Sequence, residues 1–154
     1  MAAINLEQSA GRLSSFFPDA DSKFGIFYPQ HYLLAVYPNF EAAEQASLKL
    51  SSTGLGERDV IAVPGAEVVQ YAEEHMAKHG LWGALMTELS RKIGTEAVYA
   101  DQDLARAKNG AAFVAAHCPT EIDKAKAWSV LEPTHPVVAR YYAPGGVEHL
   151  HGEN

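Results

Sequence analysis

An α+β fold made of two βαβ units is the fold class that this 154-residue sequence predicts, on three observations. The stretches 32–65 and 112–145 share one layout of strand, helix and strand, at an offset of 80 residues. Each stretch ends in Pro-Gly, at Pro64-Gly65 and at Pro144-Gly145. A long segment with helical periodicity separates the two. Two βαβ units with right-handed crossovers pack side by side as a four-stranded sheet with two helices on one face, which is the ferredoxin-like arrangement.

The chain is expected to form a single domain with an arm and a tail. Residues 1–30 read as an N-terminal arm, residues 31–150 as one ferredoxin-like domain with a helical insertion over 66–109, and residues 151–154 as a tail. A chain of this length can bury a core without disulfides or a structural metal. Because the aromatic residues of the arm need burial, we expect the arm to pack on the domain or on another subunit.

The first unit has clear element boundaries. The apolar run His31–Tyr37, bounded by prolines, predicts a buried strand. Asn39 is placed to cap a helix that ends near Gly54. Val60–Val63 predicts the second strand. The inward stripe of the helix is expected to contain Phe40, Ala43, Ala46 and Leu50.

The insertion predicts three helices, because apolar residues recur in it at helical spacing. Gly80 and Gly94 separate these helices and Gly110 ends the set. The expected stripes are Val69, Ala72 and Met76 in the first helix, Trp82, Leu85, Leu89 and Ile93 in the second, and Ala97, Ala100, Leu104 and Ala107 in the third.

The second unit repeats the first. Residues 111–117 predict a strand and residues 137–142 another, followed by polar, glycine-rich sequence. Between the strands, Pro119 is expected as the first helical residue. Ile122, Ala125 and Trp128 are expected to face inward, at spacings of three. The second face of the sheet then needs a cover, and we expect both the inserted helices and a second subunit to supply it, in a homodimer or higher homo-oligomer.

Composition excludes several partners. A net charge of −7, with twelve scattered basic residues, argues against nucleic acid and against an acidic membrane surface. The single cysteine, Cys118, fits a reducing compartment. The N-terminus lacks the features of a secretory signal and the longest apolar run is too short to span a bilayer. A cytoplasmic location is the simplest interpretation.

The second half resembles a known family. The run HGLWGALMTELSRKIGTE over 79–96, followed by a helix, Asn109-Gly110, the strand AAFVAAHCP and a helix before a tyrosine-bearing strand, is similar to a bacterial family of small uncharacterised proteins related to the general-stress (heat-induced stress) proteins. The resemblance covers residues 30–150. It implies a cytoplasmic bacterial protein with a ferredoxin-like fold and no assigned activity. The sequence over 132–136 departs from the family, which usually has glycine near the end of the last helix.

Four histidines form a candidate metal site. His75 and His79 are four residues apart on a predicted helix, so both rings could bind one ion. His149 and His151 could add ligands, since their alternate spacing would put them on one side of an extended tail. The alternative is that His79 ends a helix by bonding a carbonyl group and that His75 is solvated.

Other reactive residues are assigned mainly to structural roles. His117 and Cys118 are neighbours on a strand and therefore point to opposite faces, which argues against a nucleophile and base. The acidic pairs at Glu73-Glu74, at Glu41 and Glu121, and at Asp101 and Asp103 are expected on solvated helix surfaces. The sequence contains no Gly-x-Ser-x-Gly elbow, no phosphate-binding glycine loop and no Cys-x-x-Cys motif.

The place where the sequence would put a ligand is a pocket between the inserted helices and the sheet. Its aromatic lining would come from Trp82, Tyr99, Trp128, Tyr141 and Tyr142, with Arg91 or Arg106 supplying charge. The alternative is that these aromatic residues are plain core. The ligand-binding residues proposed on this basis are His79, Trp82, Arg91, Tyr99 and Arg106.

Two functions remain open from the sequence. The first is a non-enzymatic, oligomeric stress-type protein that binds a partner or a small ligand and carries no cofactor. The second is a histidine-based metal protein, with a divalent ion as cofactor, or a small enzyme on a ferredoxin-like dimer. The absence of a recognisable catalytic constellation favours the first.

Overall fold

The computed structural model describes residue 16 and residues 29–55, 59–73 and 96–152. Along these residues the elements are β1 (Tyr32–Tyr37), α1 (Phe40–Ser51), β2 (Val60–Val63), α2 (helical over 65–73), α3 (Glu96–Lys108), β3 (Ala112–His117), α4 (Glu121–Leu131), a 3-10 turn (Glu132–Thr134), β4 (Val138–Ala143) and β5 (Gly146–His151). The protein is therefore α+β, as predicted.

The strands form one antiparallel sheet in the order β2-β3-β1-β4-β5. In the centre, β1 pairs with β3 over its whole length, from Tyr32 opposite His117 to Tyr37 opposite Ala112. We call the face that packs against α1 and α4 the front face, and the face that packs against α2 and α3 the back face. Helices thus contact both faces, and each strand residue belongs to one face or the other.

The front face carries the larger core. Apolar side chains from alternate positions of the strands pack beneath Ala43, Ala46 and Leu50 of α1 and Ala127 and Leu131 of α4, all buried. The sheet side of this core contains Leu33, Ala35, Tyr37, Val60, Ala112, Val114, Ala116, Ala139 and Tyr141. The predicted stripe of α1 is thereby confirmed, with Phe40 partly buried at its start.

The back face is covered by the helices of the insertion. Val68, Val69 and Tyr71 of α2 and Ala107 of α3 pack on side chains that alternate with those of the front face. The sheet side of this layer contains Leu34, Val36, Ile61, Val63, Phe113, Ala115, Val138 and Tyr142.

Gly65 fixes how closely the two back helices approach. A Cβ atom at this position would collide with the carbonyl oxygens of Ala107 and Ala111. Only a residue without a side chain lets the beginning of α2 lie directly against the end of α3. The Pro-Gly pair therefore ends β2 and also begins α2, a second role that the sequence did not reveal.

Helix α1 begins as predicted and α4 does not. The Asn39 side chain accepts a hydrogen bond from the Ala42 N–H at 2.9 Å, which caps α1. In α4 the cap is Thr120, whose hydroxyl accepts from the Asp123 N–H while Asp123 accepts from the Thr120 N–H. This capping box starts the helix at Glu121, so Pro119 lies before the helix and its prediction as first helical residue was wrong.

The predicted inward stripe of α4 was also largely wrong. Ile122 is 70% exposed and Ala125 is exposed, whereas Ala127 and Leu131 are buried and Trp128 is partly buried. At about 100° per residue, Ala127, Trp128 and Leu131 share one face of the helix, whereas Ile122 and Ala125 lie on the other side.

The glycine-rich sequence at the end forms β5, although its composition predicts a polar extension. Glu148 and Val147 pair with Tyr141 and Tyr142 of β4. Leu150 packs on the front core, and Val147 on the back. In the described parts of the chain, we find no helix with the length and apolar character needed to cross a membrane.

Several sequence predictions lie outside the described residues. They concern Met76 in the first inserted helix, the whole second inserted helix with its Trp82 stripe, and most of the N-terminal arm. Of the arm, Phe16 is described, and it packs on Tyr32 of the domain. For this one residue, the expected packing of the arm on the domain is observed.

Candidate binding surface on the back face

Arg140 lies at the centre of the back face and is 0% exposed. Its guanidinium donates a hydrogen bond to the carboxylate of Asp103, on α3. Arg106, one helical turn further along α3, lies 3.4 Å from the other oxygen of the same carboxylate. The guanidinium carbon of Arg140 lies 5.9 Å from the centre of the Tyr142 ring. Two cations thus share one anion between the sheet and the helices.

Strand alternation explains why an arginine is buried there. Arg140 and Tyr142 are two residues apart on β4 and therefore point to the same face. A charge without a partner in this layer would cost several kcal/mol, and the Asp103 carboxylate offsets that cost. The ion pair also ties α3 to one position on the sheet, because it forms only when the two groups meet.

A surface groove runs between α2 and the end of α3. It is lined by Ala66, Val69, Gln70, Glu73, Ala107, Lys108 and Gly110. The alanine and valine side chains supply apolar surface, and Lys108 and Glu73 supply one charge of each sign. Such a lining suits a small ligand that has an apolar body and polar ends.

A stack of three rings lies elsewhere on the back face, at the start of β1. The Tyr32 ring is 5.3 Å from the Phe16 ring and 4.8 Å from the His117 ring, measured between centroids. The Tyr32 hydroxyl donates to the Phe16 carbonyl oxygen at 2.9 Å. Burial, and then the nearby Asp59 carboxylate, raise the pKa of Tyr32, so this hydroxyl stays protonated as a donor. We call these three residues the ring stack.

The front face has its own polar cluster, between α4 and β5. The Lys124 ammonium lies 2.7 Å from a carboxylate oxygen of Glu121 and 2.7 Å from one of Glu148. Hydrogen bonds to Glu121 and then to Glu148 raise the pKa of Lys124. The same ammonium lies 5.1 Å from the centre of the Tyr141 ring. Lys124 therefore links α4 to β5 through ion pairs, and its amine stays protonated, which prevents it from acting as a nucleophile.

Cys118 is fully buried at the end of β3. Burial, followed by the carboxylates of Asp123 and Asp59, raises the pKa of its thiol to about 12. Its carbonyl oxygen accepts a hydrogen bond from the Tyr141 hydroxyl at 2.7 Å. Cys118 belongs to the front core while His117 lies against Tyr32 on the back face, which confirms that the two do not form a catalytic pair.

The structure divides the predicted aromatic pocket between two faces. Tyr142 lies on the back face with Arg106, but Tyr141 and Trp128 pack in the front core, which is the alternative of plain core, so they do not share a pocket with Tyr142. The split follows from strand alternation, since consecutive tyrosines cannot face the same side. Tyr99 lies within α3. His79, Trp82 and Arg91 lie outside the described residues.

The predicted pairing of His149 and His151 on one side was wrong. Their register partners on β4 are Arg140 and Ala139, which belong to opposite faces of the sheet. The register shifts by one residue at this point, which leaves Leu150 without a Cα partner, as in a β-bulge. The bulge breaks the alternation that would have placed both histidines on one face. His75 and His79 lie outside the described residues, and within those residues no group of three or more His, Cys, Asp or Glu side chains could hold a metal ion.

Sequence reasoning missed the Arg140 and Asp103 pair. Asp103 was assigned to a solvated helix surface, but its side chain is mostly buried, and that assignment was wrong. Glu41, Glu73 and Glu121 are exposed, as expected. The signal that was available is Arg140 itself, a charged residue inside the otherwise apolar strand VARYYA. A charge in such a strand requires a partner from the element that covers it.

Comparisons with known proteins do not assign the chain to a family. Neither a family model, nor a curated protein, nor a solved structure matches this chain.

Proposed function

We propose that the chain is a non-enzymatic, homo-oligomeric protein of the bacterial general-stress type that binds a small ligand or a partner on its back face. The observation that carries the proposal is the groove between α2 and α3, whose lining combines apolar side chains with one charge of each sign. The inserted helices form this groove, and the βαβ units serve as its scaffold. A cytoplasmic location belongs to the same proposal.

A ferredoxin-like duplication is part of the proposal. It is supported by the order of the first four strands across the sheet, β2-β3-β1-β4, with α1 and α4 together on one face. A further support is that β1 and β3 occupy equivalent positions of the 80-residue repeat. Strand β5, added beside β4, is a departure from the simple four-stranded pattern.

The state of the reactive groups supports binding over catalysis. Burial keeps the Cys118 thiol protonated, and two carboxylates keep the Lys124 amine charged. The Asp103 carboxylate is held between two guanidinium groups. Nucleophiles and general bases act in the opposite protonation states or with free lone pairs. The contacts of Cys118, Lys124 and Asp103 stabilise the fold, so these residues suit a structural role.

Self-association is supported by two exposed apolar side chains on the front helices. Leu48 is 58% exposed and Ile122 is 70% exposed. Helices α1 and α4 contact each other and run in opposite directions, so the end of α1 with Leu48 lies at the same end of the layer as Ile122, at the start of α4. A second copy is the occupant that we propose for this apolar patch.

The groove is tested by filling it. Ala66→Phe places a large side chain at the groove from an exposed position of α2, and Ala125→Phe makes the same change on the exposed side of α4. We expect small molecules that raise the melting temperature of the wild type, or that copurify with it, to lose binding to Ala66→Phe and to keep binding to Ala125→Phe. Equal binding to both variants would show that the ligand site lies elsewhere, and turnover of a bound compound would overturn the non-enzymatic assignment.

A further inference from the structure

The groove between α2 and α3 has two distinct ends. The residues that α2 contributes to its lining follow one another at spacings of three and four, on one side of the helix: Ala66, Val69, Gln70 and Glu73. This row spans two helical turns and is about 10 Å long. Its first member, Ala66, lies where α2 meets the end of α3, because the neighbouring Gly65 lies against the carbonyl oxygen of Ala107. Glu73 lies at the other end of the row.

The two charged residues of the groove belong to these opposite ends. Lys108 follows Ala107 at the end of α3, so it enters the groove beside the beginning of α2. Glu73 enters the groove two helical turns further along α2. Both residues are exposed to solvent. A molecule that lies along the row therefore meets a positive charge at one end and a negative charge at the other.

These two charges are available to a ligand. Elsewhere on the back face, the carboxylate of Asp103 is already held by Arg140 and Arg106. By contrast, neither Lys108 nor Glu73 forms an ion pair within the residues that the structure describes. A ligand can therefore pair with both groups without breaking a contact that the folded chain makes.

The surface between the two charges suits an apolar chain. Val69 of α2 and Ala107 of α3 line this part of the groove, and both pack on the buried apolar layer of the back face. Contact with this surface removes the methylene groups of a ligand from water, which favours binding. The groove has a volume of about 850 Å³. That volume is in the range of roughly 300–1,000 Å³ that is typical of sites for small ligands.

From these observations we propose that the groove binds a linear zwitterion, with a carboxylate toward Lys108, an ammonium group toward Glu73 and an apolar chain of about 10 Å between them. An ω-amino acid is the simplest member of this class. The reverse orientation would bring like charges together at both ends. The inference rests on the proposed function of the groove and deepens it, because it names the chemical class of the ligand and its direction in the site.

The test uses the full-length protein and three probes of equal chain length at pH 7. They are 8-aminooctanoate, which carries both charges, and octanoate and octylamine, which carry one each. Dissociation constants are measured by NMR titration of the isotope-labelled protein. We expect 8-aminooctanoate to bind about threefold more tightly than either singly charged probe, because one additional ion pair at an exposed site contributes an affinity of that order.

Two variants assign the ends of the ligand. Lys108→Gln should weaken the binding of 8-aminooctanoate about threefold and leave that of octylamine unchanged, because only the carboxylate loses its partner. Glu73→Gln should weaken 8-aminooctanoate to the same extent and leave octanoate unchanged. Lys126→Gln and Glu132→Gln are the matched controls, since they make the same charge changes at exposed positions in α4 and in the turn that follows it. Both controls should bind all three probes like the wild type.

Three results would overturn the inference: equal affinity of the wild type for the three probes, binding of none of them, or an equal loss of affinity in the control variants. Ala66→Phe separates this failure from failure of the proposed function. If the probes bind the wild type equally and Ala66→Phe removes them all, the groove is a ligand site and the zwitterion class is wrong. If Ala66→Phe binds the probes like the wild type, they bind outside the groove and both proposals fail.

Discussion

At the scale of single residues, Arg140 explains most about the back face. Among the residues that the structure describes, it is the largest fully buried side chain, and its charge is matched by Asp103 from a different element. A buried ion pair adds little net stability compared with apolar packing, but it is costly to break from one side. Its main effect is to select one placement of α3 on the sheet.

Removing one partner of this pair should be strongly destabilising. We expect Asp103→Asn to lower the free energy of unfolding by about 3–5 kcal/mol, because the Arg140 charge then stays buried with a neutral partner. Arg106→Gln, at the more exposed partner of the same carboxylate, should cost no more than about 1 kcal/mol. Urea unfolding followed by circular dichroism measures both.

A second variant keeps this prediction testable if Asp103→Asn does not fold. The double variant Asp103→Asn with Arg140→Met removes the buried charge and should recover much of the lost stability. Equal destabilisation by Asp103→Asn and Arg106→Gln would contradict the role given to the buried pair.

Because the Cys118 thiol is buried and its pKa is raised, we expect the folded protein to lose stability at high pH. Its thiol pKa is raised from 9.0 to about 12 in the folded protein. Below about pH 9 the thiol is protonated in both the folded and unfolded states, so it adds no pH dependence. Above that pH the unfolded chain releases the proton and the folded chain keeps it. The free energy of unfolding should therefore fall as pH rises, by at most about 1.4 kcal/mol per pH unit from this group.

The measurement is urea unfolding at pH 8, 9 and 10. Cys118→Ala should show a shallower decline than the wild type, whatever its absolute stability. The folded wild type should also resist alkylation at pH 8, whereas urea-unfolded protein should react. Parallel pH slopes for the two proteins would contradict the burial of the thiol.

At the scale of elements, the contact between α2 and α3 depends on Gly65. Gly65→Ala should lower the free energy of unfolding by about 1–3 kcal/mol, because the new Cβ atom meets two backbone carbonyl oxygens that cannot rotate away. Gly145→Ala is the matched control, since a Cβ atom there would have no neighbour within 4 Å. Thermal and urea unfolding of the two variants provide the comparison. A neutral Gly65→Ala variant would argue against the close approach of these helices.

The elements differ in how far the sequence predicted them, for physical reasons. Apolar runs bounded by prolines located β1 to within one residue, because burial on both faces leaves no room for polar residues. The start of α4 was misplaced because Pro119 and Thr120 both suit a helix start, and the side-chain hydrogen bonds of Thr120 decided between them. The strand β5 was missed because its two flanking glycines and mixed polarity are also typical of a loop.

The binding surface was less predictable than the elements. The groove lies between two helices of the insertion, whereas the sequence placed a pocket between the insertion and the sheet. The contacts beneath these helices were not predicted either, because the pairing of Arg140 with Asp103 depends on how α3 rotates against β4. The separation of His149 from His151 likewise depends on a one-residue register shift that leaves no mark in the sequence.

At the scale of the whole molecule, the proposed association of two copies through Leu48 and Ile122 on the front helices leads to a prediction. Ile122→Glu should raise the dissociation constant of the oligomer at least about tenfold, because a charge would be buried in the contact. Val137→Glu makes the same change at a residue that is 50% exposed and lies away from the patch, just before β4. It should leave association unchanged.

Sedimentation equilibrium over a range of protein concentrations measures this effect. Neither variant should lose much stability, since both positions are exposed in one copy. If both variants associate like the wild type, the copies meet through another surface. If the wild type is monomeric at high concentration, self-association itself is wrong.

The central claim, a homo-oligomeric binding protein, is tested most directly by native mass spectrometry of the untagged chain. We expect a species that contains two or more chains of 16.7 kDa and carries a bound small molecule that is released on denaturation. The Ala66→Phe variant should show the same number of subunits and should lack the bound molecule. A bare monomer of 16.7 kDa, with no ligand retained and none recovered by exposure to cell extract, would contradict the claim.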